Sequence, residues 1–256
     1  MKKRILSLAL VVALVAIMLT SFTLAYFTDT TDVATNTMTF GDAAITQYEK
    51  DKEGKDFVQD QILVPMVDNR ADKEANPIVD GWYDEDMKNV IDKVVTVSND
   101  GENSVYVRTI FAFEGRSDVQ AVYIGRLKDA DWTFEYLPRA GEDSTAGPNG
   151  EVVAREVMID GVVHTLYVAT YEHQLAKGET SDPSLKQFFL SPDVTQDMIE
   201  SFNFGDKYTI YAVSQAVQVA GFDTTADELA NAKAALNEAF GDPATVSDAV
   251  VAGWFN

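Results

Sequence analysis

The strongest constraint on the fold is an alternation of side-chain character, with a period of two residues, in the middle of the chain. Between 104 and 114, apolar side chains recur at every second position. Successive side chains of a β-strand point to opposite faces, so this pattern predicts a strand with one buried face. The predicted buried face holds Val105, Val107, Thr109, Phe111 and Phe113, and the opposite face holds Tyr106, Arg108, Ile110, Ala112 and Glu114.

Two turn sequences predict that neighbouring strands pair as hairpins. The polar run 98–103 follows a short valine-rich strand at 94–97 and precedes the 104–114 strand. Asp160-Gly161 separates 152–159 from 162–171, and Asp-Gly is the preferred two-residue type I′ turn. Further strands are predicted at 43–48, 132–136 and 208–219, the last with both faces at least partly covered and therefore inside a sheet.

Helices are few in the sequence pattern. A capping box from Thr225 to Glu228 predicts a helix that ends at Gly241, and a shorter helix is predicted at 193–202. The polar segments 50–93 and 138–150 are interpreted as surface insertions. Many short strands without regular helix alternation favour a mainly β fold, an antiparallel β-sandwich with a few peripheral helices.

The charge and the absence of cysteine exclude several functions. The chain carries 41 acidic and 20 basic side chains, a formal net charge of -21, and no cysteine. A polyanion is repelled by phosphate, so binding to nucleic acid or to an anionic membrane is not expected. Thiolate metal sites, cysteine nucleophiles and disulfides are excluded outright.

The first 25 residues predict a targeting segment. Three basic residues, Lys2, Lys3 and Arg4, precede an uncharged apolar run at 5–25. This layout is typical of a secretory signal peptide, with cleavage predicted between Ala25 and Tyr26. The alternative is an uncleaved membrane anchor, because the run is long enough to span a bilayer. Cleavage would leave 17 basic against 41 acidic side chains, a net charge of -24.

The N-terminal region also carries a family resemblance. The run Leu-Ala-Tyr-Phe-Thr-Asp-Thr at 24–30, followed by Thr-Phe-Gly-Asp-Ala-Ala-Ile at 39–45, resembles the processing region of the TasA/camelysin family of Gram-positive exported proteins. The strand and Asn-Asp-Gly turn at 95–101, Tyr-Val-Arg at 106–108, Ala-Val-Gln at 216–218 and Trp254 are similar to later segments of that family.

This resemblance implies a jelly-roll-like or immunoglobulin-like sandwich that is cut by a SipW-type signal peptidase. It implies secretion to the extracellular matrix or cell surface and self-association into fibres, in which the freed segment 26–40 completes the sheet of the next subunit. The domain 41–256 would form the sandwich. The segment has no glycine or proline, which suits an added strand, although a disordered spacer is the alternative. The expected assembly-strand residues are Tyr26, Phe27, Val33, Met38 and Phe40.

The sequence offers no motif for catalysis. His164 and His173 are the two histidines, and their spacing does not fit a zincin helix, which requires two histidines four residues apart. His164 is expected to be a half-exposed strand residue. Nucleophile-elbow and phosphate-loop patterns are absent. We therefore expect no catalytic residues, no assigned metal ligands and no cofactor, although the acidic loops 68–72 and 80–86 leave weak calcium binding open.

Three functional hypotheses follow. The first is an exported structural protein of the cell surface or biofilm matrix that assembles by donation of its N-terminal strand. The second is a camelysin-like surface metalloendopeptidase, which depends on the resemblance alone. The third is a monomeric surface adhesin or binding module that uses the acidic insertions as its contact surface.

Overall fold

The computed structural model describes residues 28–31, 43–58, 61, 63–71, 86–116, 122–125, 131–136, 155–192, 194 and 208–255. Strands hold 45% of the residues and helices 13%, so the protein is mainly β. The described strands are β1 (Thr28–Thr31), β2 (Ile45–Lys50), β3 (Val67–Asp68), β4 (Met87–Lys88), β5 (Ile91–Asn99), β6 (Val105–Glu114), β7 (Val122–Gly125), β8 (Trp132–Tyr136), β9 (Glu156–Ile159), β10 (Val162–Tyr171), β11 (Leu185–Leu190) and β12 (Ile210–Gln218), and the described helices are α1 (Glu228–Phe240) and α2 (Asp248–Gly253).

The strands form two larger antiparallel sheets and one short ribbon. The first, called the main sheet below, has the order β1-β12-β6-β10-β8, with β9 also paired to β10. The second sheet has the order β2-β5-β11-β7, and β3 pairs with β4 alone. The main and second sheets enclose a common core that includes Val97, Val107, Phe111 and Leu185. The predicted antiparallel β-sandwich with few helices is confirmed.

The outer face of the main sheet is covered by the two C-terminal helices. Tyr106 packs with Ala232 and Leu236 of α1, whereas Ile110 packs with Val251 of α2. All ten residues of β6 are consequently buried, and the prediction of a single buried face for this strand is wrong. The helices supply the reason, because they form a third layer that a two-residue period does not reveal.

The predicted hairpin between the valine-rich strand and β6 is also wrong, because β5 and β6 lie in different sheets. The turn between them crosses from one sheet to the other. Asn99 holds this crossing: its Nδ2 donates to the carbonyl oxygens of Asn103 and Leu175, both at 2.9 Å, and its Oδ1 accepts from Gly101 N at 2.9 Å. The polar residues at 98–103, which permit a tight turn, therefore form a connection between the two sheets.

Other local predictions agree with the structure. The β9–β10 hairpin is confirmed, with φ of 50° at Asp160 and 82° at Gly161, as a type I′ turn requires. The predicted strand 132–136 is β8, and 43–48 and 208–219 contain most of β2 and all of β12. Helix α1 ends at Gly241 as predicted, but its N-cap is Asp227, which accepts from Ala230 N at 3.0 Å, rather than Thr225.

Part of the expected surface insertion 50–93 belongs to the packed interior. Met66 and Met87 are buried against Phe189 of β11. The predicted helix 193–202 falls almost entirely outside the described residues, and the predicted loop 138–150 falls wholly outside them.

Candidate functional site

The first candidate site is the margin of the main sheet where β1 lies. β1 pairs antiparallel with β12 through four residue pairs, from Thr28 opposite Val217 to Thr31 opposite Ser214. β1 comes from the segment 26–40, for which the family resemblance implies an added strand and for which a disordered spacer is the alternative. The expected cleavage residues and assembly-strand residues, namely Ala25, Tyr26, Phe27, Val33, Met38 and Phe40, lie outside the described residues.

β12 is also held by two strands other than β1, namely β6 of the main sheet and β2 of the second sheet. It pairs with β6 through nine residue pairs, more than twice as many as it makes with β1. The Ser214 hydroxyl donates to Gln47 Oε1 of β2 at 2.6 Å and lies 2.9 Å from the Thr109 hydroxyl. Gln47 Nε2 also lies 3.4 Å from the carbonyl oxygen of Ala212. The strand that receives β1 is therefore fixed by hydrogen bonds that do not involve β1.

A second polar group in the same interior is the buried pair Lys93 and Glu49. Lys93 is 2% exposed, its Nζ donates to Glu49, and it lies 4.3 Å from the centroid of the Phe57 ring. Burial lowers the pKa of Lys93, and the Glu49 carboxylate opposes that shift. The sequence indicates that the Lys93 side chain is buried, because Lys93 lies on the same face of the strand as Val95 and Val97. Parity gives the direction of the side chain, but it does not identify the partner.

The second candidate site lies under the helical layer and centres on Arg108. This residue is 2% exposed, on the face of β6 that the helices cover. Its Nε donates to Gln215 Oε1 at 2.7 Å, its Nη1 to Asn237 Oδ1 at 2.8 Å and its Nη2 to the carbonyl oxygen of Gly241 at 3.0 Å. Arg108 thus connects β12, β6 and the C-terminal end of α1.

A second buried arginine holds the connection between the helices. Arg155 is fully buried, and its Nη2 donates to Asp248 Oδ1 at 2.8 Å. It also donates to the carbonyl oxygens of Pro243 and Val246. The chain between α1 and α2 is therefore fixed to the main sheet at both ends, by Arg108 and by Arg155.

Between α1, this connection and the main sheet lies a cavity of about 430 Å³, called the helix-layer cavity below. Glu135 of β8 stands at its margin, where it accepts from Lys233 Nζ. The sheet contributes Arg108, Val168 and Thr170, helix α1 contributes Lys233, Leu236 and Asn237, and the turn 242–244 closes the remaining side.

The electrostatics of the helix-layer cavity are dominated by the buried guanidinium. Burial lowers the pKa of Arg108 to about 9, and the carboxylates of Asp242 and Glu135 oppose that shift. Arg108 is therefore still a cation at neutral pH. The rings of Phe240 and Trp254 lie 5.8 Å and 5.6 Å from its Cζ, within the range of a cation–π contact.

The two histidines are far apart. His164 lies near the start of β10, and His173 follows the end of that strand. The seven residue-to-residue steps from His164 to Tyr171 span about 23 Å in an extended strand, so the two imidazoles cannot bind one metal ion. The expectation that His164 is half-exposed is wrong, because it is 2% exposed and its ring lies 5.3 Å from the ring of Tyr211 on β12.

The loop at 68–72 is described only in part, and Asp68 there is engaged by a cation. Its carboxylate accepts from Arg70 Nε at 2.9 Å and from Nη2 at 2.8 Å. Within the part of the chain that the structure describes, no three carboxylate or imidazole groups gather in a way that could hold a metal ion. Calcium binding stays a prediction.

No protein-family model matches the chain, and no curated protein or solved structure does either. None of the helices in the described ranges has the length and apolar character needed to cross a bilayer.

Proposed function

We propose that this protein is an exported structural component of the cell surface or extracellular matrix of a Gram-positive bacterium, and that it assembles into fibres by donating its N-terminal strand. The observation that carries the proposal is the pairing of β1 with β12 at the margin of the main sheet. A strand at a sheet margin is held through its backbone, so the same place can be filled by a strand from a neighbouring subunit.

The relative extent of pairing favours exchange of β1. Four residue pairs join β1 to β12, and each backbone hydrogen bond contributes only about 1 kcal/mol net. β12 itself is retained by nine pairs with β6 and by Gln47. Release of β1 therefore costs little compared with unfolding, and it leaves a preformed acceptor strand.

The predicted export supports the same proposal. Cleavage between Ala25 and Tyr26 by a SipW-type signal peptidase would place β1 within the first residues of the mature chain, where few covalent constraints limit its reach. The resemblance of 24–30 and 39–45 to the TasA/camelysin processing region motivates both the cleavage and the extracellular location.

Strand exchange is tested by mixing two single-cysteine variants, because the natural chain has no cysteine. Thr31 and Ser214 are register partners, and directly opposed Cα atoms in an antiparallel pair lie within disulfide range. In a mixture of Thr31→Cys and Ser214→Cys proteins, a disulfide between them forms only if β1 of one molecule pairs with β12 of another. We expect crosslinked dimers under mild oxidation, measured by non-reducing electrophoresis.

The matched control replaces Ser214→Cys with Ser98→Cys, which lies on β5 of the second sheet and is not opposite β1. The double variant carrying Thr31→Cys and Ser214→Cys in one chain should form an intramolecular disulfide that joins β1 to β12 of the same molecule. It is expected to block fibres in electron micrographs until the disulfide is reduced. Fibres that persist with the disulfide intact, or crosslinking that is equal in the control mixture, would refute strand donation.

A further inference from the structure

We propose that the helix-layer cavity binds a small organic carboxylate that also carries an ammonium group, the chemistry of a free amino acid or of a short peptide with both ends free. The inference is independent of fibre assembly, because it concerns the helical layer and not β1.

The unused hydrogens of Arg108 indicate the anion. A guanidinium has five N–H donors, and Arg108 directs three of them to Gln215, Asn237 and Gly241. Among the described residues, one hydrogen of Nη1 and one of Nη2 therefore have no acceptor. Nη1 and Nη2 can together bind a carboxylate through two parallel hydrogen bonds.

The partners that Arg108 already has leave its charge without a bonded anion. Among the described residues, its hydrogen-bond acceptors are two amide side chains and a backbone carbonyl, all neutral. Asp242 and Glu135 act on it only through space. Burying an ion without a paired counter-ion is costly, and a bound carboxylate would offset that cost.

The remaining charges of the cavity favour a zwitterion. Glu135 is paired with Lys233, whereas Asp242 Oδ1 accepts from the backbone N of Ala244 at 2.9 Å. Because Lys233 neutralises Glu135, Asp242 is the carboxylate of the cavity that has no ion pair among the described residues, and it would attract an ammonium group. Arg108 and Lys233 balance the two carboxylates, so a neutral zwitterion fits this cavity better than a phosphate dianion does. Apolar side chains of Val168 and Leu236 suit a small aliphatic group.

Binding is tested by calorimetric titration of the full-length chain at low salt with L-alanine, L-alanyl-L-alanine, N-acetyl-L-alanine and inorganic phosphate. We expect saturable binding of alanine or of the dipeptide, with a dissociation constant of about 10 mM or below. N-Acetylalanine, which lacks the ammonium group, should bind at least about threefold more weakly, and phosphate should not bind. Tighter binding of alanine identifies a free amino acid as the ligand, and tighter binding of the dipeptide identifies a peptide.

Two variants locate the site. Arg108→Lys keeps the charge but loses the two Nη groups that bind a carboxylate in parallel, and we expect affinity to fall at least about tenfold. Thr170 lies directly opposite Arg108 in the pairing of β10 with β6, so Thr170→Met fills the cavity from the sheet side while the chain keeps its guanidinium. This variant should abolish binding even if Arg108→Lys is poorly folded. Thr96→Met, on β5 of the second sheet, is the matched control and should bind as the natural chain does. Absence of saturable binding by both alanine and the dipeptide, or unchanged binding by the Thr170→Met protein, would overturn the proposal.

Discussion

His164 shows how a single buried side chain ties stability to pH. Its Nδ1 lies 3.0 Å from the carbonyl oxygen of Val162, so in the neutral ring Nδ1 carries the hydrogen and donates. Its Nε2 is buried and has no hydrogen-bond partner among the described residues. Protonation would place a charged N–H where no described residue accepts it, and burial lowers the pKa of His164.

This arrangement predicts a loss of stability on the acid side. The unfolded state, with a pKa near 6.5, binds the proton first, so the free energy of unfolding falls as pH drops below about 7 towards the lowered folded pKa of His164. In His164→Asn, which keeps a donor for Val162, urea unfolding at pH 7.5 and 5.5 should show a smaller fall in the free energy of unfolding than in the natural chain.

Glu114, which faces His164 across β6 and β10, supplies the control of opposite sign. Burial raises the pKa of Glu114, so its charge costs stability as pH rises from about 4.5 through that raised pKa. Glu114→Gln should therefore reduce the loss of stability that occurs as pH rises, whereas His164→Asn reduces the loss that occurs as pH falls. Parallel profiles for the natural chain and His164→Asn would contradict the assignment of the acid-side loss to this imidazole.

At the scale of the element, the end of α1 depends on one glycine. Gly241 has φ of 88°, and its carbonyl oxygen accepts from Arg108. A Cβ added at this position would lie 2.4 Å from Val246 Cγ1. The residue thus combines a left-handed backbone with a close approach by the turn that closes the helix-layer cavity.

Gly241→Ala is therefore predicted to destabilise the protein by about 2 kcal/mol or more, measured by chemical denaturation. Gly221→Ala is the matched control, because Gly221 has φ of 93° but no atom within 4 Å of its added Cβ. We expect the control to cost about 1 kcal/mol, the backbone contribution alone. Equal losses in the two variants would exclude the contact with Val246 as a cause.

At the scale of the whole molecule, charge opposes the assembly that β1 permits. After cleavage at Ala25 the chain would carry a net charge of -24, so subunits repel one another until they are close enough to pair strands. Salt shortens the range of that repulsion, since the Debye length falls from about 10 Å at 0.1 M to about 3 Å at 1 M.

We therefore predict that strand-exchanged oligomers increase severalfold between 0.1 M and 1 M sodium chloride, measured by light scattering. The chain closed by the Thr31–Ser214 disulfide should show no such increase, because its β1 cannot leave. Assembly that weakens as salt rises would indicate an attraction between charged surfaces instead of pairing of strands.

The sequence by itself determined the strands and the turns whose chemistry is local. Alternation located β6 and β8, and Asp160-Gly161 fixed the β9–β10 hairpin because a type I′ turn needs positive φ at both positions. These predictions succeed because each depends on neighbours within a few residues. The same locality made the polar turn after β5 look like another hairpin.

The tertiary structure alone decided which sheet each strand joins and what meets each buried charge. Asn99 sends the chain across to the other sheet by bonding to Leu175, which is distant in sequence. Arg108 received its partners from α1 and β12, and Lys93 received Glu49 from β2. Such pairings join residues 44 to 129 positions apart. A period of two gives the face on which a side chain lies, but the group it meets there is set by packing between layers, which local sequence does not encode.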